Sequence, residues 1–290
     1  MDVGIGLPTA HPAVNGDDVV AWARHAEAGG FSTLGVIDRL VHGSWEPLTA
    51  LAAAAAVTER IGLATSILIA PLRAGTALLA KQAATVDRLS HGRLTLGLAV
   101  GSRPDDFAVG GVALAGRGVR TDAQLRELRE LWSSAEAGKP SAVGPAPARP
   151  GGPPLLLGGH APRALERAAR FGDGWIGGGT GPGMFRGGAE QFRAAWERAG
   201  RTGRPRLAAI AYVGLGPGGA EETEEYLRSY YRGAGPFVDH IVRNAATSSG
   251  QLAELLGEYE EAGCDEVLLM PCVPNRDQID RAAEAVSTAA

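Results

Sequence analysis

The sequence has little of what usually announces a chemistry. Its two cysteines, Cys264 and Cys272, flank one predicted strand, and extended chain of that length holds them much farther apart than a disulfide permits. They are expected to be free thiols in a reducing compartment, and Cys272, with no basic neighbour, reads as a packed thiol rather than a nucleophile. Lysine is as scarce. Lys81 falls in a helical stretch and Lys139 in a loop, so no lysine stands at a strand end where an aldolase would need its Schiff base. No His-x-His, His-Glu-x-x-His or paired-cysteine pattern occurs, which disfavours a metal-dependent hydrolase, and there is no Gly-x-Ser-x-Gly elbow. The longest low-polarity run, Leu48 to Val57, is mostly alanine and far short of the ~20 residues of a membrane span. A net charge of -4 with scattered arginines gives no basic stripe, so neither nucleic acid nor a membrane is an expected partner.

What is present is the material of a large core. Hydrophobic residues make up 45% of the 290, too many for a disordered chain. The N-terminus runs from Met1 straight into an apolar strand-like segment, without a basic stretch and a cleavage site, so a cytoplasmic location is expected. Short β-branched or leucine-rich runs alternate with longer helical patterns, the mark of repeated βαβ units and a parallel sheet. Eight strands are expected, at 3–7, 33–37, 61–69, 94–100, 155–157, 174–176, 207–213 and 266–270. Helices are expected from Asp17, an N-cap candidate, to the Gly29-Gly30 stop, and at 46–58, 74–89, 121–134, 162–171, 184–199, 221–231, 251–262 and 277–286. A polar, glycine-rich excursion covers 102–120, and 138–154 reads as a loop. Eight alternations favour one α/β domain over residues 1–290, a closed (β/α)8 TIM barrel with short insertions. An open doubly wound sheet, usually of about six strands, is the second choice.

Barrel active sites lie on the loops after each strand, which sorts residues before any motif is invoked. His11, Asp38, His42, Trp45, Ser66, Arg73, Arg103 and His160 fall on that face, whereas His25 and His91 do not. Glycines gather at the strand ends: Gly101, Gly158, Gly159, Gly177, Gly178 and Gly179. They let backbone N–H groups approach a ligand, and two clusters lead into helix N-termini that attract anions, so a phosphate-bearing cofactor is the natural guest; the alternative for each glycine is a tight turn. A Gly-x-Gly-x-x-Gly at Gly214, Gly216 and Gly219 is rejected as a dinucleotide site. The helix after it opens with Glu221, Glu222, Glu224 and Glu225, which would repel a pyrophosphate.

Taken with these positions, Ala26-Glu-Ala-Gly-Gly-Phe31, Thr65-Ser-Ile-Leu68, Leu79 to Arg93 (LAKQAATVDRLSHGR), Leu96-Gly-Leu-Ala-Val-Gly101, Leu157-Gly-Gly-His160 and Asp173-Gly-Trp-Ile176 resemble the bacterial-luciferase-like superfamily. It comprises flavin monooxygenases and enzymes of the deazaflavin coenzyme F420, and the resemblance spans essentially the whole chain. It implies a non-prolyl cis peptide at Ser66-Ile67 supporting the cofactor ring, with Asp38, Val100, Gly101, Gly158, Gly159, Gly177 and Gly178 around the cofactor and its phosphate. The chain departs from a common deazaflavin-enzyme pattern, Asp-His after the second strand, by having Asp38-Arg39, which puts a histidine donor there in doubt. Insertions after strands four and seven look short, leaving a pocket that is open or completed by a partner subunit.

Asp38, His11, His42 and His160 are the candidate catalytic groups, because histidine titrates near neutrality and can donate a proton. Arg73 and Arg103 suit an anion, and Trp45 can wall the substrate pocket or stack on the cofactor; surface ion pairs and plain packing are the alternatives. The leading expectation is a monooxygenase of reduced FMN, supplied by a separate flavin reductase, that acts on a small organic substrate through a peroxyflavin. The alternatives are F420-dependent hydride transfer and, from another class, a non-catalytic flavin-binding barrel. The resemblance also implies a homodimer.

Overall fold

In the computed structural model, which describes residues 1–289, the chain alternates strands and helices from end to end. The strands are β1 (Asp2–Gly6), β2 (Thr33–Val36), β3 (Gly62–Ile69), β4 (Leu94–Ala99), β5 (Leu155–Gly158), β6 (Gly174–Gly177), β7 (Arg206–Val213) and β8 (Glu266–Pro271). The helices are α1 (Gly16–Ala28), α2 (Pro47–Ala55), α3 (Thr76–Leu89), α4 (Pro104–Val109), α5 (Arg117–Glu136), α6 (Pro162–Phe171), α7 (Pro182–Arg198), α8 (Gly219–Tyr230), α9 (Phe237–Arg243), α10 (Ser249–Glu261) and α11 (Asp277–Ala289). All eight strands pair in parallel and in sequence order, and β1 against β8 closes the barrel. The closed barrel, not the open sheet, is therefore the fold.

Strand alternation divides the core in two. Along β7, Leu207, Ala209, Ala211 and Val213 point outward to the helices, while Ala208, Ile210 and Tyr212 point inward. The inner set continues upward from Ala64, Leu156, Ile176 and Leu268 to a layer of tyrosines from α8. Glycine sets how closely strands approach. A Cβ at Gly97 would come within 2.0 Å of the Thr65 carbonyl oxygen, and one at Gly174 within 2.1 Å of that of Arg206. At the opposite end of the barrel Glu266 is buried, accepting from the hydroxyls of Ser32 (2.6 Å) and Thr33 (2.7 Å) and pairing with Arg206.

The differences from the sequence reading have local causes. Helix α1 starts at a capping box between Asn15 and Asp18, so Asn15, not Asp17, is the N-cap. The excursion at 102–120 holds α4, and α5 begins at Arg117 because Gly116 can take the left-handed conformation that turns the chain into it (φ 73°). After β7 comes α9 in addition to the two expected helices, and this stretch covers one side of the barrel mouth. The pocket is walled there by the chain itself, where the sequence had suggested an open side. Cys264 and Cys272 are free and buried, and burial pushes the Cys264 thiol up to about 12.

Candidate active site

A cavity of about 310 Å³ opens at the C-terminal ends of the strands. On one side lies the end of β3, where the Ser66–Ile67 peptide is cis and the pairing with β4 slips between Thr65 and Leu68. The slip turns Ile67 into the cavity, and the missing side chain of Gly158 accommodates it: a Cβ there would meet Ile67 Cδ1 at 2.4 Å. Ile37, Ile69, Phe107 and Ile210 make the rest of the lining largely apolar.

Most polar groups of this mouth are already paired, while Ser102 lines the cavity without a hydrogen-bond partner among the described residues. Asp38, buried at the end of β2, accepts from the Ile69 N–H (2.8 Å) and from both terminal nitrogens of Arg73, which also reaches Glu46 at 3.2 Å. Burial pushes the Asp38 carboxyl above its ordinary value even though Arg73 and the Ile69 N–H pull it down. Arg39 donates to Asp106 (2.7 Å), Asp105 (2.9 Å) and the Tyr230 carbonyl (3.1 Å), while Asp106 also receives the N–H groups of Leu40 and Val41. Arg103 spends its terminal N–H groups on the carbonyls of Tyr230 and Arg232 and lies over the rings of Tyr230 and Tyr231. Ser66 donates to the Val36 carbonyl at 3.4 Å.

Across from Ile67 the wall is tyrosine. Tyr212 from β7 meets Tyr231, just past α8, hydroxyl to hydroxyl at 2.6 Å. Tyr230 lines the cavity beside them, and Tyr226 stacks on Tyr230. His11 stacks on Tyr226 and His42 meets Tyr230 edge-on, so both sit outside the cavity lining, with burial lowering their pKa values. Trp45 is exposed and outside the cavity lining, with its ring beside Gly16 and its backbone N–H given to the Thr9 carbonyl at 3.0 Å. Arg73 acts on the cavity through Asp38.

The strand-end glycines do different jobs. At Gly177 and Gly179 a Cβ would collide with Phe185 (2.9 Å) and Tyr212 (2.4 Å), so glycine there serves packing, and Gly177 lies outside the lining. Gly178 is the open one: its nearest neighbour would be His160 Nε2 at 3.7 Å. Gly101 (φ 70°) and Gly159 (φ 123°) occupy conformations that favour glycine, and Val100, Gly101 and Gly159 line the cavity. The chain beyond β5 and β6 enters α6 and α7, whose first N–H groups carry no side-chain cap, as in α3, α4, α5, α8 and α9; α1, α2 and α10 are capped. Uncapped helix N-termini beside glycine loops offer N–H donors to a phosphate. His160 lies there, edge-on to Trp175 and 3.5 Å from the Thr180 hydroxyl, and burial lowers its pKa. By contrast, Gly214 and Gly219 pack against Thr223 and against each other, so that motif is a close turn into α8. No group of three or more His, Cys, Asp or Glu side chains among the described residues is placed to hold a metal.

Sequence reasoning placed Arg39 on this face and missed Tyr212, Tyr230, Tyr231 and Asp106. Tyr212 was within reach, since it follows Ala208 and Ile210 at the two-residue spacing of one strand face; Asp106 was not, because it lies 67 residues from Arg39.

At the C-terminal mouth of the (β/α)8 barrel a largely apolar cavity thus lies beside the glycine-rich turns that lead into α6 and α7. The chain belongs to the luciferase-like monooxygenase family, whose model matches residues 1–268; members are flavin- or deazaflavin-dependent oxidoreductases. An uncharacterized protein of Mycobacterium tuberculosis is 34% identical over 175 residues, 57% of this chain and 61% of that one. An F420-dependent glucose-6-phosphate dehydrogenase of Amycolatopsis mediterranei is 28% identical over 177 residues, 55% of this chain and 52% of that one. Both matches thus span less than two thirds of the relative's length. Among solved structures, an F420-dependent secondary alcohol dehydrogenase in complex with an F420-acetone adduct superposes with a TM-score of 0.83 over 100% of this chain and 99% of that one, at 20% identity, a likeness of fold.

Proposed function

We propose that the protein is an oxidoreductase that holds a reduced flavin-type ring against Ile67, with the ring's phosphate tail at Gly159, Gly178 and the start of α7. The observation that carries this reading is the pairing of an apolar slot with uncapped helix N-termini on the same mouth. In it Asp38, Ser66, Ile67, Val100, Gly101, Gly158, Gly159 and Gly178 surround the cofactor, and Gly177 lets Phe185 pack beneath. The cofactor supplies the redox chemistry; the chain supplies orientation and a dry pocket.

F420 is the cofactor we favour, because the similar glucose-6-phosphate dehydrogenase is F420-dependent. This reverses the order in which the sequence alone ranked the two. Reduced FMN from a separate reductase, used for monooxygenation, is the second reading, and the description of the matching family supports it. In this reading His160 stands at the phosphate end, and Asp38 acts as a positioning residue for the end of β3.

Anaerobic titration of the purified protein with F420, FMN and reduced FMN, followed by absorbance and fluorescence, tests the proposal. Tight binding of F420 with weak binding of both FMN forms is expected. Selective binding of reduced FMN would move the activity to oxygen chemistry, and binding of none would end the cofactor assignment.

A further inference from the structure

Within the cavity the tyrosine pair differs from Asp38, Arg39 and Ser66, which the chain already engages; Ser102 and His160 are further polar side chains of the lining. Asp38 is held by Arg73, Arg39 by two aspartates, and Ser66 by a backbone carbonyl. When two hydroxyls meet at 2.6 Å, one proton bridges the oxygens and the second is uncommitted. Neither hydroxyl has another partner among the described residues. Tyr212 is almost fully buried while Tyr231 is partly open to the cavity, so the Tyr231 hydroxyl is the one a ligand reaches, and its proton is free for that ligand when Tyr212 donates to it. Burial raises the pKa of both, so both are protonated at neutral pH.

Arg103 completes the arrangement. Its guanidinium carbon is 5.1 Å from the centroid of the Tyr231 ring, and no carboxylate pairs with it among the described residues. One N–H of each terminal nitrogen serves the carbonyls of Arg232 and Tyr230, which ties the guanidinium to the end of α8. What it still contributes is positive charge, which favours electron density on an oxygen bound at Tyr231.

We infer that the Tyr231 hydroxyl, oriented by Tyr212, is the donor that fixes the oxygen of a compact, uncharged ketone or of the matching secondary alcohol beside the cofactor ring. This deepens the proposed function and rests on it. Substrate selection then rests on the Tyr231 hydrogen bond within a largely apolar slot that accepts an uncharged carbonyl.

The test compares cyclohexanone with methylenecyclohexane, a near-isostere whose terminal carbon cannot accept the hydrogen bond. Binding is read as a perturbation of the cofactor spectrum in protein loaded with F420, or with FMN should that be the form it takes. Wild type is expected to bind the ketone roughly 3- to 10-fold more tightly than the alkene, the range of one neutral hydrogen bond. Tyr231→Phe should abolish that preference, and Tyr212→Phe should keep part of it. Difference infrared spectra of 13C-labelled cyclohexanone should show the bound carbonyl stretch at lower frequency in wild type than in Tyr231→Phe. Absence of saturable ketone binding, or an equal preference in wild type and Tyr231→Phe, overturns the inference with the cofactor reading intact. Failure of wild type to bind either cofactor brings down both.

Discussion

Asp38→Ala is expected to cost about 3 kcal/mol of stability in urea unfolding at neutral pH, the scale of removing one partner of a buried ion pair. The carboxylate holds the Ile69 N–H and both ends of the Arg73 fork, so alanine leaves Arg73 largely buried with only the more exposed Glu46 and leaves the Ile69 amide without its acceptor. Asp38→Asn should cost less, about 1 kcal/mol, because its carbonyl oxygen can still take the Ile69 N–H. Their pH behaviour should differ as well. The folded protein holds the Asp38 proton to a higher pH than the unfolded chain, whose value is near 3.8, because burial outweighs Arg73. Ionisation therefore removes stability as pH rises from that value through the folded one, so the advantage of wild type over Asp38→Asn should narrow across that window and be level above it. Since Ile69 and Ile67 share the strand end that faces the ring site, cofactor affinity in Asp38→Ala should fall at least roughly tenfold, about 1.4 kcal/mol. Unchanged affinity and stability would show that Asp38 does not position the end of β3.

Trp175→Ala should be as damaging, costing about 3–5 kcal/mol. The indole is fully buried on β6, stacks on Phe185, touches His160 edge-on and donates to the Gly159 carbonyl at 2.9 Å. Gly188 lies so close that a Cβ there would meet the ring at 2.6 Å, so the cavity left by alanine is walled by residues that fit around tryptophan. The informative variant is Trp175→Phe, which keeps most of the packing and removes the N–H. About 1 kcal/mol of stability should go with that bond. Because the bond orients Gly159 beside the α6 N-terminus, F420 affinity should drop several-fold in Trp175→Phe, by about 1 kcal/mol in the same terms. Wild-type F420 affinity in this variant would exclude the Gly159 turn from the cofactor site.

How far such features could be read in advance depends on whether the cause is local. Helix α6 runs over the residues expected for it, because Pro162 fixes its first turn and Gly172 its exit. The strands came out within a residue or two for the same reason: each is a short apolar run between turn residues. Helix α9 was invisible, being a seven-residue piece with no apolar period long enough to register. The site divides along the same line. Its glycines and the Ser66-Ile67 position could be named because they belong to contiguous motifs, whereas the Arg39–Asp106 pair depends on β2, β3 and β4 lying side by side and the Tyr212–Tyr231 contact on α8 folding back over the end of β7. The histidines show the converse error. His11 and His42 were placed on the correct face by strand order, but the tyrosine layer that separates them from the cavity comes from a segment far along the chain. Strand counting gives the face on which a residue stands and not which neighbours stand between it and the cavity.

The central claim is that one mouth of this barrel holds a flavin-type ring against Ile67 with its phosphate at the start of α7. A crystal structure of the protein with F420 bound tests it most directly. The expected result is the ring between Ile67 and the Tyr212–Tyr231 wall, with phosphate oxygens accepting from N–H groups between Gly178 and the first turn of α7. A ring outside this cavity, or a phosphate at the turn from β7 into α8, would contradict it.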